Sequence, residues 1–260
     1  MRRRSLIAST AATVTAAVCR TRHARANAPL LPTGAVDLLL VLAVDVSPSI
    51  SEDDARLQQE GYCAALTDTT VLAAVHGGAC GAIGVAYVEW AGVGFQRLLL
   101  PSARIADDHD AEAWSRRLAS ARTRSPRGAA AASDRLFSGT TISRGIWFSA
   151  VMLEEAPWPA VRRVIDVSGD GVDNSAWSIP VEEIRDWAVR QGITINGLAI
   201  EGDPEFQDRF PGAVLADYYH EAVIGGPGAF VIQADGMGAF RDAVRRKLVR
   251  EIAAPTSALA

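Results

Sequence analysis

Past its first two dozen residues the chain has no second long apolar run, so no membrane-spanning helix is expected in that part. It has no Gly-x-x-x-x-Gly-Lys loop, which speaks against a phosphate-loop enzyme. It also lacks a Gly-x-Ser-x-Gly elbow: Ser168 sits in Asp-Val-Ser-Gly-Asp instead. Of its four histidines, His76, His109 and His220 lie beyond the N-terminal segment and read as surface or structural residues, leaving a hydrolase short of a base. Excess positive charge is missing too. The formal charge is −4, and removal of residues 1–26, with six arginines and no acid, takes it to −10, a balance unsuited to nucleic acid. Cysteine is scarce. Cys19 lies in the N-terminal segment, and Cys63 and Cys80 form an even pair that suits either a disulfide or two buried thiols.

What is present is a globular composition, 49% hydrophobic and 22% charged. Arg2, Arg3 and Arg4 precede a small, apolar stretch over residues 5–18, and Ala24-Arg25-Ala26 offers a small-x-small cleavage site. Residues 1–26 therefore read as an export signal, loosely similar to the twin-arginine type. This predicts a periplasmic or secreted protein without stable membrane insertion after signal removal. Residues 27–36 read as a short linker, 37–253 as one domain and 254–260 as a tail.

The organising stretch is residues 38–44, an unbroken apolar run of the length of a strand buried on both faces, ending at Asp45. Helical spacing follows over 51–67. Residues 82–90 and 95–100 are β-rich and joined by the Gly-containing 91–94, which predicts a hairpin with an antiparallel strand at the sheet edge. Residues 105–121 read as a helix, 122–133 as an Arg- and Ala-rich loop, and 144–155 as a helix containing Ile146, Trp147 and Met152. Residues 161–167 form a second buried-strand candidate. A helix over 179–191 follows, then a strand over 193–200, a loop with some helix over 203–220, a short strand over 229–233 and a basic-tipped helix over 238–252. Trp114, Trp147 and Trp187 are expected in the core. The alternation predicts an α/β fold: a doubly wound, mainly parallel central sheet with one antiparallel edge strand and helices on both faces.

Ligands bind such sheets outside the carboxyl ends of the strands. Here the first buried strand leads into Asp45, Ser47 and Ser49 at alternate positions, and the second into Asp166, Ser168, Asp170, Asp173 and Asn174. A Gly- and hydroxyl-rich segment around Thr140 and Thr141 lies between them. Oxygen donors of this kind suit a hard divalent cation. Helix capping by the same Asp and Ser residues is the competing reading, since Ser51 with Glu52, Asp53 and Asp54 resembles the first turn of a helix.

The set Asp45-x-Ser47-x-Ser49, Thr140 in Gly-Thr-Thr-Ile-Ser, and Asp170 in Asp-Val-Ser-Gly-Asp-Gly resembles the metal-ion-dependent adhesion site of von Willebrand factor type A (vWA) domains. The likeness runs from about Asp37 to Ile252 and is to an exported bacterial branch of that superfamily. It implies that Ser47, Ser49 and Thr140 supply hydroxyl ligands, directly or through water, and that Asp45 and Asp170 bind largely through water. Thr140 is preferred to Thr141 because it directly follows Gly139. The implied cofactor is Mg²⁺, with Mn²⁺ or Ca²⁺ as substitutes, and the implied partner is a protein offering a Glu or Asp carboxylate. A non-enzymatic binding module of the cell envelope follows. The alternatives are a Mg²⁺-dependent phosphoryl-transfer or hydrolytic enzyme, or a metal-free scaffold; the last must bear the cost of two like charges brought together. The sequence departs from the family pattern at Gly169, where Thr commonly precedes the Asp-Gly pair.

Overall fold

The computed structural model describes residues 32–123, 139–175 and 178–254. The export-signal reading, the first half of the 27–36 linker, most of the Arg- and Ala-rich loop and most of the C-terminal tail lie outside the described residues.

Six strands form one sheet in the order β3-β2-β1-β4-β5-β6. In chain order the elements are β1 (Val36–Asp45), α1 (Glu52–Leu66), α2 (Thr69–His76), β2 (Ile83–Trp90), β3 (Gln96–Ile105), α3 (Asp108–Ser120), α4 (Ile142–Glu154) and β4 (Ala160–Gly169). Then come α5 (Val181–Arg190), β5 (Ile193–Ile200), the short α6 (Pro204–Arg209) and α7 (Leu215–Tyr218), β6 (Val231–Ala234) and α8 (Phe240–Ala253). All neighbouring strands pair in parallel except β2 and the edge strand β3. The doubly wound α/β reading is thus the observed fold.

β1 sits at the centre because it is apolar on both faces. Leu38, Leu40, Leu42 and Val44 point into one core with Tyr62 and Leu66 of α1 and Val244 and Leu248 of α8. Leu39, Val41 and Ala43 point into the other, with Ile142 and Ile146 of α4 and Ala188 of α5. This period of two, apolar in both registers, is what a strand covered by helices on each side requires. The chain turns from β1 to β2 on one side, while β4 takes the other. The carboxyl ends of β1 and β4 therefore flank the point where strand order reverses, where a crevice opens.

Several local expectations change. β3 continues past Leu100 to Ile105, so the following helix starts at Asp108. Pro101 is accommodated because β3 is an edge strand, and the shift between the Val85↔Ala103 and Tyr87↔Leu100 pairs sets Pro101 and Ser102 against the single residue Ala86 as a bulge. The helix α2, capped by Asp68 through Thr70 N–H, is an addition. Trp147 is not core: it is 43% exposed, with the Arg144 guanidinium 6.0 Å from its ring centre. The buried stripe of α4 runs through Ile142, Ile146 and Leu153, and Trp147, one residue from Ile146, is rotated off it. Trp114 is buried as expected, and Trp187 is half-buried. Cys63 and Cys80 are both free thiols, not a disulfide.

Candidate functional site

β1 ends at Asp45, whose side chain is fully buried. The chain then turns sharply: Val46 N–H still bonds Trp90 O as if the strand continued, while Ser47 N–H donates to Asp45 Oδ1 at 2.7 Å. Val46 and Ile50 pack with Ala55 of α1, which pins both ends of the turn. Between these anchors the hydroxyls of Ser47 and Ser49 meet at 3.0 Å, and Ser49 Oγ donates to Asp170 Oδ1 at 2.9 Å. Four of the five residues singled out in the sequence are thus joined in one hydrogen-bonded chain across the ends of β1 and β4. Helix capping falls to other residues. Ser51 Oγ accepts from Asp54 N–H at 3.0 Å and Ser51 N–H donates to Asp54 Oδ2 at 3.3 Å, a capping box that leaves Ser47 and Ser49 out of the helix start.

Thr140 is brought to the same crevice by a loop that depends on glycine. Gly139 has φ +92°, and a Cβ there would lie 2.6 Å from Asn174 Oδ1. That oxygen accepts from Thr140 N–H at 2.9 Å, and Asn174 N–H donates to Thr140 O at 3.0 Å. Asp173 Oδ2 accepts from Ser143 N–H at 3.1 Å, supplying the first turn of α4 with an acceptor that its own N-cap, Thr141, does not give. Asp173 and Asn174 therefore hold the loops after β4 and before α4 together. Thr140 lines a cavity of about 240 Å³ with Pro48, Ser49, Gly171 and Asp203. Thr141 does not line it; its hydroxyl is buried without a hydrogen-bond partner.

The electrostatics of the cluster are unfavourable as it stands. Burial, and then the charge of Asp170, push the Asp45 carboxyl well above its ordinary range, against the opposing Ser47 N–H bond. Burial pushes Asp170 up to about 6, against the Ser49 hydroxyl and with the charge of Asp203 adding to the shift. Asp45 Oδ2 is buried and has no hydrogen-bond donor. Oxygens of this kind, the carboxylates of Asp45 and Asp170 with the hydroxyls of Ser47 and Ser49 between them, are a donor set that a hard cation would satisfy. Among the described residues no group of three or more His, Cys, Asp or Glu side chains is placed to hold a metal ion, so any cation here would depend on the hydroxyls as well as the carboxylates.

Two residues of the site were not anticipated. Asp203, the N-cap of α6, accepts from Phe206 N–H and forms part of the cavity wall. The Asp-Pro-Glu start of α6 is legible as a cap, but its place in the crevice follows only from the order of β4 and β5. Tyr219, fully buried in a π-helical turn (Tyr219–Val223), reaches the space beside Gly169 and Asp45. Nothing in its sequence context signals this. It also gives a physical reason for the Gly169 departure, because a side chain at that position would collide with it.

The family described as a protein of unknown function, DUF1194, matches residues 35–256. No curated protein matches. Among solved structures, the pilus adhesin SpaC from Lactobacillus rhamnosus GG is similar at 14% identity and TM-score 0.54, over 86% of this chain and 31% of that one. Proximal thread matrix protein 1 from the mussel byssus, in a structure with a zinc-occupied MIDAS motif, is similar at 12% identity and TM-score 0.52, over 84% of this chain and 48% of that one. The minor pilin PilB from Streptococcus sanguinis gives 11% identity and TM-score 0.50, over 85% and 63%. The chain spans about a third to two thirds of the length of these proteins, and at such identities the likeness is one of fold.

Proposed function

The chain belongs to the DUF1194 family and has a vWA-like fold, and from that premise we propose that it is a binding module of the bacterial cell envelope that depends on a divalent cation. Ser47, Ser49 and Thr140 would hold the cation through their hydroxyls, and Asp45 and Asp170 would hold it through water. Mg²⁺ is the proposed ion, with Mn²⁺ or Ca²⁺ as substitutes; the zinc named for the mussel protein is reason to include Zn²⁺ in any titration. The observation that carries the reading is the buried, donorless Asp45 Oδ2 facing the charge of Asp170. Such a pair is stabilised by positive charge between its members.

When bound, the cation supplies a Lewis-acidic position able to accept one further oxygen. The chain's own residues do the rest. The two carboxylates would offset the ion's charge, while neutral hydroxyls would leave it electrophilic, so a carboxylate from outside remains attractive. The cavity beside Thr140 and Asp203 gives that carboxylate an entry. The proposed partner is a protein presenting a Glu or Asp there. Nothing in the site needs a nucleophile or base, so a non-enzymatic role is proposed. Export is supported by the N-terminal segment of the sequence, and no helix among the described residues is long and apolar enough to cross a membrane.

Capture of envelope proteins on immobilised wild-type and Asp45→Ala chains tests the role. Retention of the same protein by the wild type with Mg²⁺, lost both with chelator and in the variant, is expected. Equal retention under all three conditions would contradict it.

A further inference from the structure

Lys247 is the only lysine in the 260-residue chain; the other permanently cationic side chains are all arginine. It is also fully buried. What lysine offers and arginine does not is an amine that can give up its proton and act as a nucleophile.

The Lys247 ammonium nitrogen lies 2.5 Å from Asp166 Oδ1 on β4 and 2.6 Å from Glu251 Oε1, one turn further along α8. Asn196 of β5 donates Nδ2 to the same Glu251 oxygen at 2.9 Å and is held in turn by Phe230 N–H at 3.1 Å. The Phe230 ring centre stands 5.5 Å from Lys247 Nζ. Asp166, Asn196, Lys247 and Glu251 are each at most 3% exposed. As an ionic cluster this set is poorly balanced. Two carboxylates share one ammonium, and Asp166 Oδ2 and Glu251 Oε2 are buried with no hydrogen-bond partner. A buried ion pair repays its desolvation only when its remaining lone pairs are satisfied.

We infer that Lys247 and Asp166 become joined by an amide bond between Nζ and Cγ, with Glu251 carrying the proton, so that α8 is covalently stapled to β4. The reaction starts from a neutral Asp166 carboxyl, the Lys247 ammonium and the Glu251 carboxylate. Glu251 takes one proton from the ammonium, and the freed amine attacks Asp166 Cγ. In the tetrahedral adduct the nitrogen then gives up a second proton, relayed through Glu251 to the departing hydroxyl. The C–O bond breaks and one water leaves. The products are an amide, a water and a protonated Glu251; no oxidant, reductant or activating group is consumed. The protonation state needed is at hand, because burial pushes the Asp166 carboxyl up to about 7 in spite of the lysine beside it. Contact between the reacting groups, fixed by two packed elements, replaces the activation that amide formation needs between free molecules. The bond also removes the buried ammonium and the buried Glu251 carboxylate charge together, and it anchors the C-terminal helix against the sheet.

With a single lysine, the denatured full chain has two primary amines, the α-amino group and Lys247 Nζ. The test is the intact mass of the full-length protein, followed by acylation of amines in denaturant and location of the label by peptide digestion. Expected are a mass one water below that of the sequence, no label on Lys247, and a branched tryptic peptide joining the Asp166 and Lys247 segments. Glu251→Gln is expected to restore the full mass and a labelled Lys247. A wild-type chain of full mass with Lys247 labelled would overturn the bond, as would loss of water with Lys247 still labelled. Persistence of the branched peptide in Glu251→Gln would overturn the role given to Glu251. The wild-type measurement decides the main question even where the variant fails to fold.

Discussion

Gly169 leaves open the space that the Tyr219 hydroxyl occupies. A Cβ at position 169 would lie 2.8 Å from Tyr219 Oη, and it would also meet Asp45 Oδ2 at 2.9 Å. Glycine here is a matter of close approach and not of backbone conformation, because its φ is not positive. Gly169→Ala is expected to destabilise the fold by about 1–3 kcal/mol through overpacking of a buried site. Tyr219→Phe, which removes one of the two colliding oxygens, should recover part of that loss when combined with it. A denaturant double-mutant cycle measures the coupling; additive losses would show that the two positions do not compete for space.

Without a bound cation the domain is expected to lose stability as pH rises. Asp45 and Asp170 both have carboxyls raised in the fold, Asp170 to about 6, chiefly by burial. A group whose folded pKa lies above its unfolded value stabilises the fold below the unfolded value, and this contribution is lost as pH climbs through the folded one. The decline should therefore run from about pH 4 to beyond pH 6, and Asp170 alone accounts for roughly 2–3 kcal/mol of it. Melting temperatures with chelator across this range check the slope. Mg²⁺ should restore most of the loss near neutral pH, since the ion needs the ionised carboxylates.

The two adjacent threonines should behave differently. Thr140→Ala is expected to weaken cation binding at least tenfold with little effect on folding. Thr141→Val removes a buried hydroxyl that has no hydrogen-bond partner, so stability should be unchanged or slightly raised and binding retained. Parallel melting curves and cation titrations of the two variants separate the cases. Weaker binding in Thr141→Val alone would reverse the assignment.

Asp173 is expected to act on the site at a distance. Its carboxylate takes the Ser143 N–H at the start of α4, directly after the Thr140–Thr141 pair. Asp173→Ala should cost about 1 kcal/mol of stability, as loss of a helix cap does, and should lower cation affinity by loosening the Thr140 loop. The same variant with unchanged cation affinity would show that Asn174, through the Thr140 N–H, suffices to hold the loop.

The central strand was legible because its apolar run is continuous and the acid that ends it is followed by hydroxyls at alternate positions. The convergence of Ser49 with Asp170 was legible for the same reason: two buried strands in a doubly wound sheet end side by side. Pro101 concealed the length of β3, since only a bulge opposite Ala86 lets an edge strand carry it. Trp147 misled because bulk and hydrophobicity do not fix a residue's angle on a helix; Ile146 took the inward position. Tyr219 and Lys247 were illegible as neighbours of the site and of Asp166. Those contacts are set by how the segments after β5 return over the sheet, and local pattern does not encode that return.

The most direct test of the metal-dependent reading is calorimetric titration of the purified chain with Mg²⁺ and Mn²⁺ at neutral pH, beside Asp45→Ala. Saturable binding of one ion per chain to the wild type, absent in a variant that still melts cooperatively, is the predicted result. Binding unchanged in Asp45→Ala, or no binding of either ion to the wild type even with an acidic peptide present in excess, would contradict it.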